Sequence, residues 1–164
     1  MAQEIERRFL VKNDDWRRTA DAGEPLLQFY LAARETFSAR VRIKKEASAV
    51  LTLKTGAGMA REEMEYPIPL EDARHLEGSA VGTVIRKRRH RLAHDGHTIE
   101  IDVFSGDLAP LVIAEVEFAE GEATDIALPD FFGREVTDDG AYTNASLALE
   151  GLPATFSPKE QDPR

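Results

Sequence analysis

Carboxylates recur two residues apart at Glu4 and Glu6, at Glu100 and Asp102, and at Glu115 and Glu117. Basic side chains do the same at Arg40 and Arg42 and at Lys87 and Arg89. Successive side chains of a strand point to opposite faces, so residues two apart share one. Sorted by that rule, Arg8, Thr52, Lys54, Arg61, Glu63 and Glu65 join the ionic face. Ile5, Phe9, Val41, Ile43, Leu51, Ile99, Ile101, Val116 and Phe118 fall on the other, which only Arg7, Arg86 and Arg88 interrupt. An ordinary half-solvated sheet also alternates, but its outer face normally mixes in Ser, Thr, Asn and Gln. Here the face is almost wholly ionic and segregated by strand, with acids on the first, seventh and eighth and bases on the third, fourth and sixth. Clustered carboxylate oxygens suit a hard divalent cation, Mg²⁺ or Mn²⁺, which makes Glu4, Glu6, Asp102, Glu115 and Glu117 the candidate metal ligands. Arg8, Arg40, Arg42, Lys54, Lys87 and Arg89 are the candidate phosphate-binding residues, the arginines being able to form bidentate contacts. Both signs are needed where a metal bridges carboxylates to a polyanion. Glu4 is the candidate base, with Arg8 and Tyr30 as further catalytic candidates. Tyr30 reads equally as an inward hydrogen-bond donor and as an aromatic at the end of a barrel.

The elements that must position these groups follow from the same alternation. Strands are predicted over 4–11, 26–33, 38–45, 50–54, 61–68, 84–93, 98–104 and 111–118. His94-Asp95-Gly96-His97 joins two of them, and Asp-Gly between alternating runs marks a hairpin. Short helices are expected around Trp16, over 70–76, over 122–128 and over 141–149, the last ending at Gly151. The fold class is therefore α+β, mainly β. If the eight antiparallel strands close with the ionic face inward, the first and last strands meet and their acids become neighbours in a charged tunnel.

Smaller signals have plainer readings. His94 and His97 flank a hairpin tip and lack the partners of a metal site, and His75 and His90 read as surface residues. Gly56 and Gly58 read as turn glycines. The run RKRRHR over 86–91 resembles a nucleic-acid patch, but alternation divides it between two faces.

Composition sets the frame. The chain has 164 residues, 42% of them hydrophobic, enough for one domain with a real core, placed at 1–152, before a tail over 153–164 expected to be disordered. With no cysteine there is no disulfide framework, thiol nucleophile or thiolate zinc site. The opening MAQEIERRFLV carries charges where a signal peptide needs an apolar run, and no stretch approaches the roughly 20 apolar residues of a membrane span. A cytoplasmic protein with no membrane partner is expected. A net charge of −9 argues against binding nucleic acid through bulk positive charge, so an anionic ligand needs a local basic site. A homodimer is compatible with this composition.

These residues resemble the CYTH, or triphosphate tunnel, family, which contains class IV adenylate cyclases, thiamine triphosphatases and bacterial inorganic triphosphatases. EIERRFLV over 4–11 is similar to the family's E-x-E-x-K signature. Tyr30 in FYL, ARVRIK, LTLK ending at Lys54, RKRR, EIDVFSGDLAPL, AEVEF and FGREVT with Tyr142 and Asn144 follow in order over nearly the whole chain. The resemblance implies an eight-stranded tunnel in which carboxylates bind Mg²⁺ or Mn²⁺ and basic residues bind a triphosphate. Two departures stand out. Arg8 replaces the usual lysine, and Thr143 and Ala145 offer no lysine to close over a ligand. The expected reaction is hydrolysis of the terminal phosphoanhydride of tripolyphosphate or a related organic or nucleoside triphosphate. The alternatives are a cyclase forming cyclic AMP and a non-catalytic polyphosphate-binding module.

Overall fold

The computed structural model describes residues 5–56 and 62–158. Nine strands form one antiparallel sheet: β1 (Ile5–Val11), β2 (Glu24–Arg34), β3 (Phe37–Lys44), β4 (Ser48–Thr55), β5 (Glu62–Ile68), β6 (Val81–His94), β7 (His97–Phe104), β8 (Val112–Phe118) and β9 (Phe132–Glu135). Their order is β5-β4-β3-β2-β6-β7-β8-β1-β9. Among the described residues two short α-helices, α1 (Leu70–Leu76) and α2 (Asn144–Glu150), accompany the sheet, together with single 3-10 turns.

The alternation places each strand well because one face is apolar and the other ionic, and a slip by one residue would exchange them. In the β6–β7 hairpin, Asp95 (φ 49°) and Gly96 (φ 76°) both adopt the left-handed conformation that a two-residue turn of this kind requires. α1 covers the outer face of β2, β3 and β4, packing Ala73, Leu70 and Leu76 onto Phe29, Val41, Ile43 and Ala49. Trp16, from a 3-10 turn at Asp15–Arg18, packs with Phe131 and Phe132 in the cluster over the outer face of β1, β7 and β8. A third cluster lies on the inner face at one end, where Leu10, Tyr30, Ile85, Phe104 and Ile113 meet Tyr142, Leu147 and Ala148 of the α2 region. This apolar plug defines a floor. α2 can approach β6 because Gly82 (φ 72°) has no side chain: an added Cβ would stand 2.3 Å from the Ala148 carbonyl oxygen.

The sheet curls strongly. β4 and β1 lie six strands apart, so a flat sheet would separate them by about 29 Å at the usual strand spacing. Yet Lys54 of β4 acts electrostatically on Glu6 of β1, and Asp102 and Glu115 act on Arg42 of β3. Such influence requires the strands to face each other across a cavity.

Several expectations are corrected. The sheet has nine strands rather than eight and is not a closed barrel: among the described residues no ladder joins β5 to β1 or β9. The acids of β1 and β8 do lie side by side, with Glu6 opposite Glu117 and Arg8 opposite Glu115. The far edge of β1, however, is taken by β9, pairing Phe9 with Glu135 and Val11 with Phe132. β5 carries Pro67, which has no N–H for a further ladder. Residues 122–128 form no helix. The Thr124 carbonyl instead accepts from Arg7, the Ala127 carbonyl binds His94, and Ile126 packs on the core. The helix expected over 141–149 divides into a 3-10 turn and α2 at Thr143, whose hydroxyl caps α2 by accepting from the Ser146 N–H at 3.1 Å. His90 is buried against Trp16 rather than exposed. Phe156, placed in the expected disordered tail, packs on the apolar plug.

Candidate active site

The inner face gathers the ionic residues, and the ladders fix which of them meet. Arg89 lies opposite Asp102, Arg91 opposite Glu100, Glu100 opposite Glu115, Arg42 opposite Gln28 and Arg40 opposite Tyr30. Arg8, Lys87, Arg89, Asp102, Glu115, Thr52 and Gln28 are all buried although no helix covers them, since the curled sheet itself encloses them.

The most tightly organised part is a knot of ion pairs. Lys87 Nζ donates to Asp102 Oδ2 at 2.6 Å, and Arg89 clasps the same carboxylate through Nε at 2.7 Å and Nη2 at 2.8 Å. Arg89 also reaches both oxygens of Glu100 at 3.2 Å. Burial alone would raise the Asp102 pKa, but the Lys87 charge and the Arg89 hydrogen bonds outweigh it and hold the carboxyl far below its ordinary range. Burial likewise works against the Arg89 charge, and Asp102 more than restores it. Lys87 is pulled down chiefly by its complete burial. The knot thus satisfies itself. Lys87 and Asp102, expected to serve phosphate and metal respectively, are paired with each other here.

Two regions beside the knot are not self-satisfied. On β2 and β3, Arg40 and Arg42 form no ion pair among the described residues; Arg42 Nε donates only to the neutral Gln28 Oε1 at 3.2 Å. Burial, reinforced by the positive charges of Arg40 and Arg89, pulls the Arg42 guanidinium down to about 10. Among the described residues, three of the four buried side-chain atoms with no hydrogen-bond partner lie on this inner face: Arg8 Nε, Gln28 Nε2 and Arg40 Nε. Arg8 Nε stands 3.2 Å from Glu115 Oε1, close enough for Coulomb attraction but misaligned for a hydrogen bond. Across the cavity, Glu6 has its pKa raised by desolvation first and then by Glu115, with Glu117 adding to the effect. The β2–β3 wall thus holds arginines without a counter-ion among the described residues, while the facing wall sets Glu6, Glu115 and Glu117 near one another with Arg8 beside Glu115.

The remaining predicted residues fall as follows. Lys54 is half-exposed and bridges to Glu63 at 3.3 Å. Glu117 is exposed. Tyr30 is buried in the apolar plug, the second of its two readings. Glu4 lies outside the described residues. Among the described residues no three His, Asp or Glu side chains stand close enough to hold a metal as placed. Gln28 escaped the sequence reading, and Asn144 entered it only as a motif match without a role. Gln28 is wholly buried beside Arg42, and Asn144 at the start of α2 lies 3.5 Å from Lys87 Nζ. Gln28 could have been found from its even spacing with Tyr30 on β2.

The site thus lies in a curled, open antiparallel sheet that turns an ionic face inward and plugs one end with apolar side chains. The profile of the CYTH domain matches residues 2–143, and the chain belongs to the CYTH domain family. It is 36% identical over 148 residues to an inorganic triphosphatase of Acetivibrio thermocellus, covering 90% of this chain and 94% of that one. It is 37% identical over 153 residues to an inorganic triphosphatase of Nitrosomonas europaea, covering 89% and 97%. A solved inorganic triphosphatase structure superposes with a TM-score of 0.71 at 33% identity, covering 93% of this chain and 99% of that one. A protein from Hippeastrum, described as a putative adenylyl cyclase with dominant triphosphatase activity, shares the fold at a TM-score of 0.53 and 16% identity, over 70% of this chain and 79% of that one.

Proposed function

We propose that this chain is a divalent-metal-dependent triphosphatase that hydrolyses the terminal phosphoanhydride of inorganic triphosphate. The observation that carries this reading is the unpaired basic wall of β2 and β3, where Arg40 Nε and Gln28 Nε2 are buried without acceptors and Arg42 is held only by a neutral amide. Buried donors are normally satisfied, so their natural complement is a ligand rich in acceptor oxygens. The family relatives, both inorganic triphosphatases, point the same way.

In this reading Arg40 and Arg42 bind and align the phosphoryl chain, with Lys54 at the rim and Arg8 and Arg89 as further contacts. Lys87 and Arg89 hold Asp102 ionised and fixed. On the opposite wall burial and the neighbouring Glu115 and Glu117 charges raise the Glu6 pKa against the opposing pull of Arg8, and a divalent cation would offset that effect, so the oxygen donor set of Glu6, Glu115 and Glu117 fits Mg²⁺ or Mn²⁺. Glu4 belongs with them by sequence. When bound, such a cation neutralises charge that develops on phosphoryl oxygens. Glu4 is the proposed base that takes the proton of the attacking water. The aromatics of the inner face, Tyr30 and Phe104, are packed inside the plug rather than lining a slot for a nucleobase, which supports a bare triphosphate over ATP.

Incubation with tripolyphosphate, ATP and thiamine triphosphate, each with Mg²⁺ and with Mn²⁺, tests this directly. Phosphate release fastest from tripolyphosphate is expected. Cyclic AMP from ATP without phosphate release would overturn the assignment in favour of a cyclase.

A further inference from the structure

Gln28 is the neutral member of a charged layer. On β2 it lies directly opposite Arg42 of β3 and Ile85 of β6. The next inward residue along β2 is Tyr30, and both Tyr30 and Ile85 belong to the apolar plug. Gln28 therefore stands on the floor of the cavity. Its carboxamide is wholly buried, and its two ends behave differently. Oε1 accepts from Arg42 Nε at 3.2 Å, whereas Nε2 has no partner among the described residues. The orientation of the amide follows from chemistry, because turning it over would set two N–H donors against each other.

A buried amide left half-satisfied is unfavourable unless a ligand completes it. Glutamate would fit the same space and pair fully with Arg42, but it would cancel the positive charge of the wall. Glutamine keeps an acceptor for the arginine and a donor for something else, at no cost in charge. We propose that Gln28 is a substrate-contacting and positioning residue: its Oε1 sets the Arg42 guanidinium while its Nε2 donates to an oxygen of the innermost phosphoryl group. This assignment rests on the triphosphatase reading above and extends it to a residue whose side chain carries no charge.

Gln28→Glu and Gln28→Met separate the two functions of the amide. In the glutamate variant Arg42 keeps its acceptor while the donor becomes a carboxylate oxygen, so tripolyphosphate affinity measured by calorimetry in EDTA should fall about tenfold or more. In the methionine variant both functions are lost at similar volume. Its affinity should fall comparably while its melting temperature stays near wild type, because loss of the unpaired Nε2 donor and loss of the acceptor of Arg42 Nε oppose each other. A merely structural glutamine would give the opposite pattern, a lower melting temperature with unchanged affinity. Wild-type affinity in Gln28→Glu, or in a folded Gln28→Met, would overturn the proposal. The two readings fail separately: wild-type protein that binds tripolyphosphate but releases no phosphate sinks only the triphosphatase assignment, while active wild-type protein with unaffected variants sinks only the role of Gln28.

Discussion

Arg8 and Asp102 show how single residues divide the work of a charged cavity. Arg8 stands at the lysine position of the E-x-E-x-K signature that EIERRFLV resembles, and it sits 3.2 Å from Glu115. Lysine at that position would keep the charge but lose the planar fork, so in Arg8→Lys turnover at saturating Mn²⁺ should change by less than about tenfold, roughly 1.4 kcal/mol. A much larger gain would mean that the natural arginine suppresses catalysis. Asp102 is the hub of the ion-pair knot. Asp102→Asn leaves the wholly buried Lys87 without a counter-charge and should destabilise the protein by about 3 kcal/mol or more, read from denaturant unfolding. The pH dependence follows from the same carboxylate. Its folded pKa lies below its unfolded one, so its contribution is fully present above the ordinary carboxylate range and is lost as pH falls through the lower folded value. The stability difference between wild type and Asp102→Asn should accordingly shrink on acidification, and a difference independent of pH would contradict the ionised pairing.

At the level of elements, alternation was the readable signal. β3, β4, β5 and β7 fall within a residue or two of their predicted bounds, and α1 matches residue for residue; β3, β4, β7 and α1 each carry an apolar face against a neighbour, while β5, whose Met64 and Tyr66 are exposed, still alternates charge with bulk. β9 was not legible: it has four residues, and its place on β1 comes from Phe132 stacking on Phe9 with ring centres 4.5 Å apart. Residues 122–128 misled because their composition suits a helix while their carbonyls serve distant side chains. Within the site, the inward sorting of Arg40, Arg42, Lys87, Arg89, Asp102 and Glu115 was readable from spacing. Their pairing was not, since Lys87 meeting Asp102 depends on the β6–β7 register. The contact of α2 with β6 yields an element-level prediction. Gly82→Ala places a methyl group against the Ala148 carbonyl in a left-handed backbone conformation, so it should destabilise by about 1 to 3 kcal/mol and lower the melting temperature. An unchanged melting temperature would show that α2 does not dock as described.

As a whole the molecule holds Arg40 and Arg42 near one another on a wall without a counter-ion among the described residues, so a polyanion that meets them should stabilise it. Tripolyphosphate at about 100 times its dissociation constant is expected to add about 2.7 kcal/mol, raising the melting temperature by roughly 5 to 10 °C. No shift at that concentration would argue against the cavity as the binding site. The sheet that encloses the cavity has two margins, β5 and β9, with no ladder between them among the described residues. Such a wall can breathe. Its mouth widens by bending strands, without rupture of a backbone hydrogen bond, so the departure of phosphate need not wait on local unfolding. Amide hydrogens of β4 and β8, paired on both sides, should then exchange with solvent as slowly during continuous turnover as at rest.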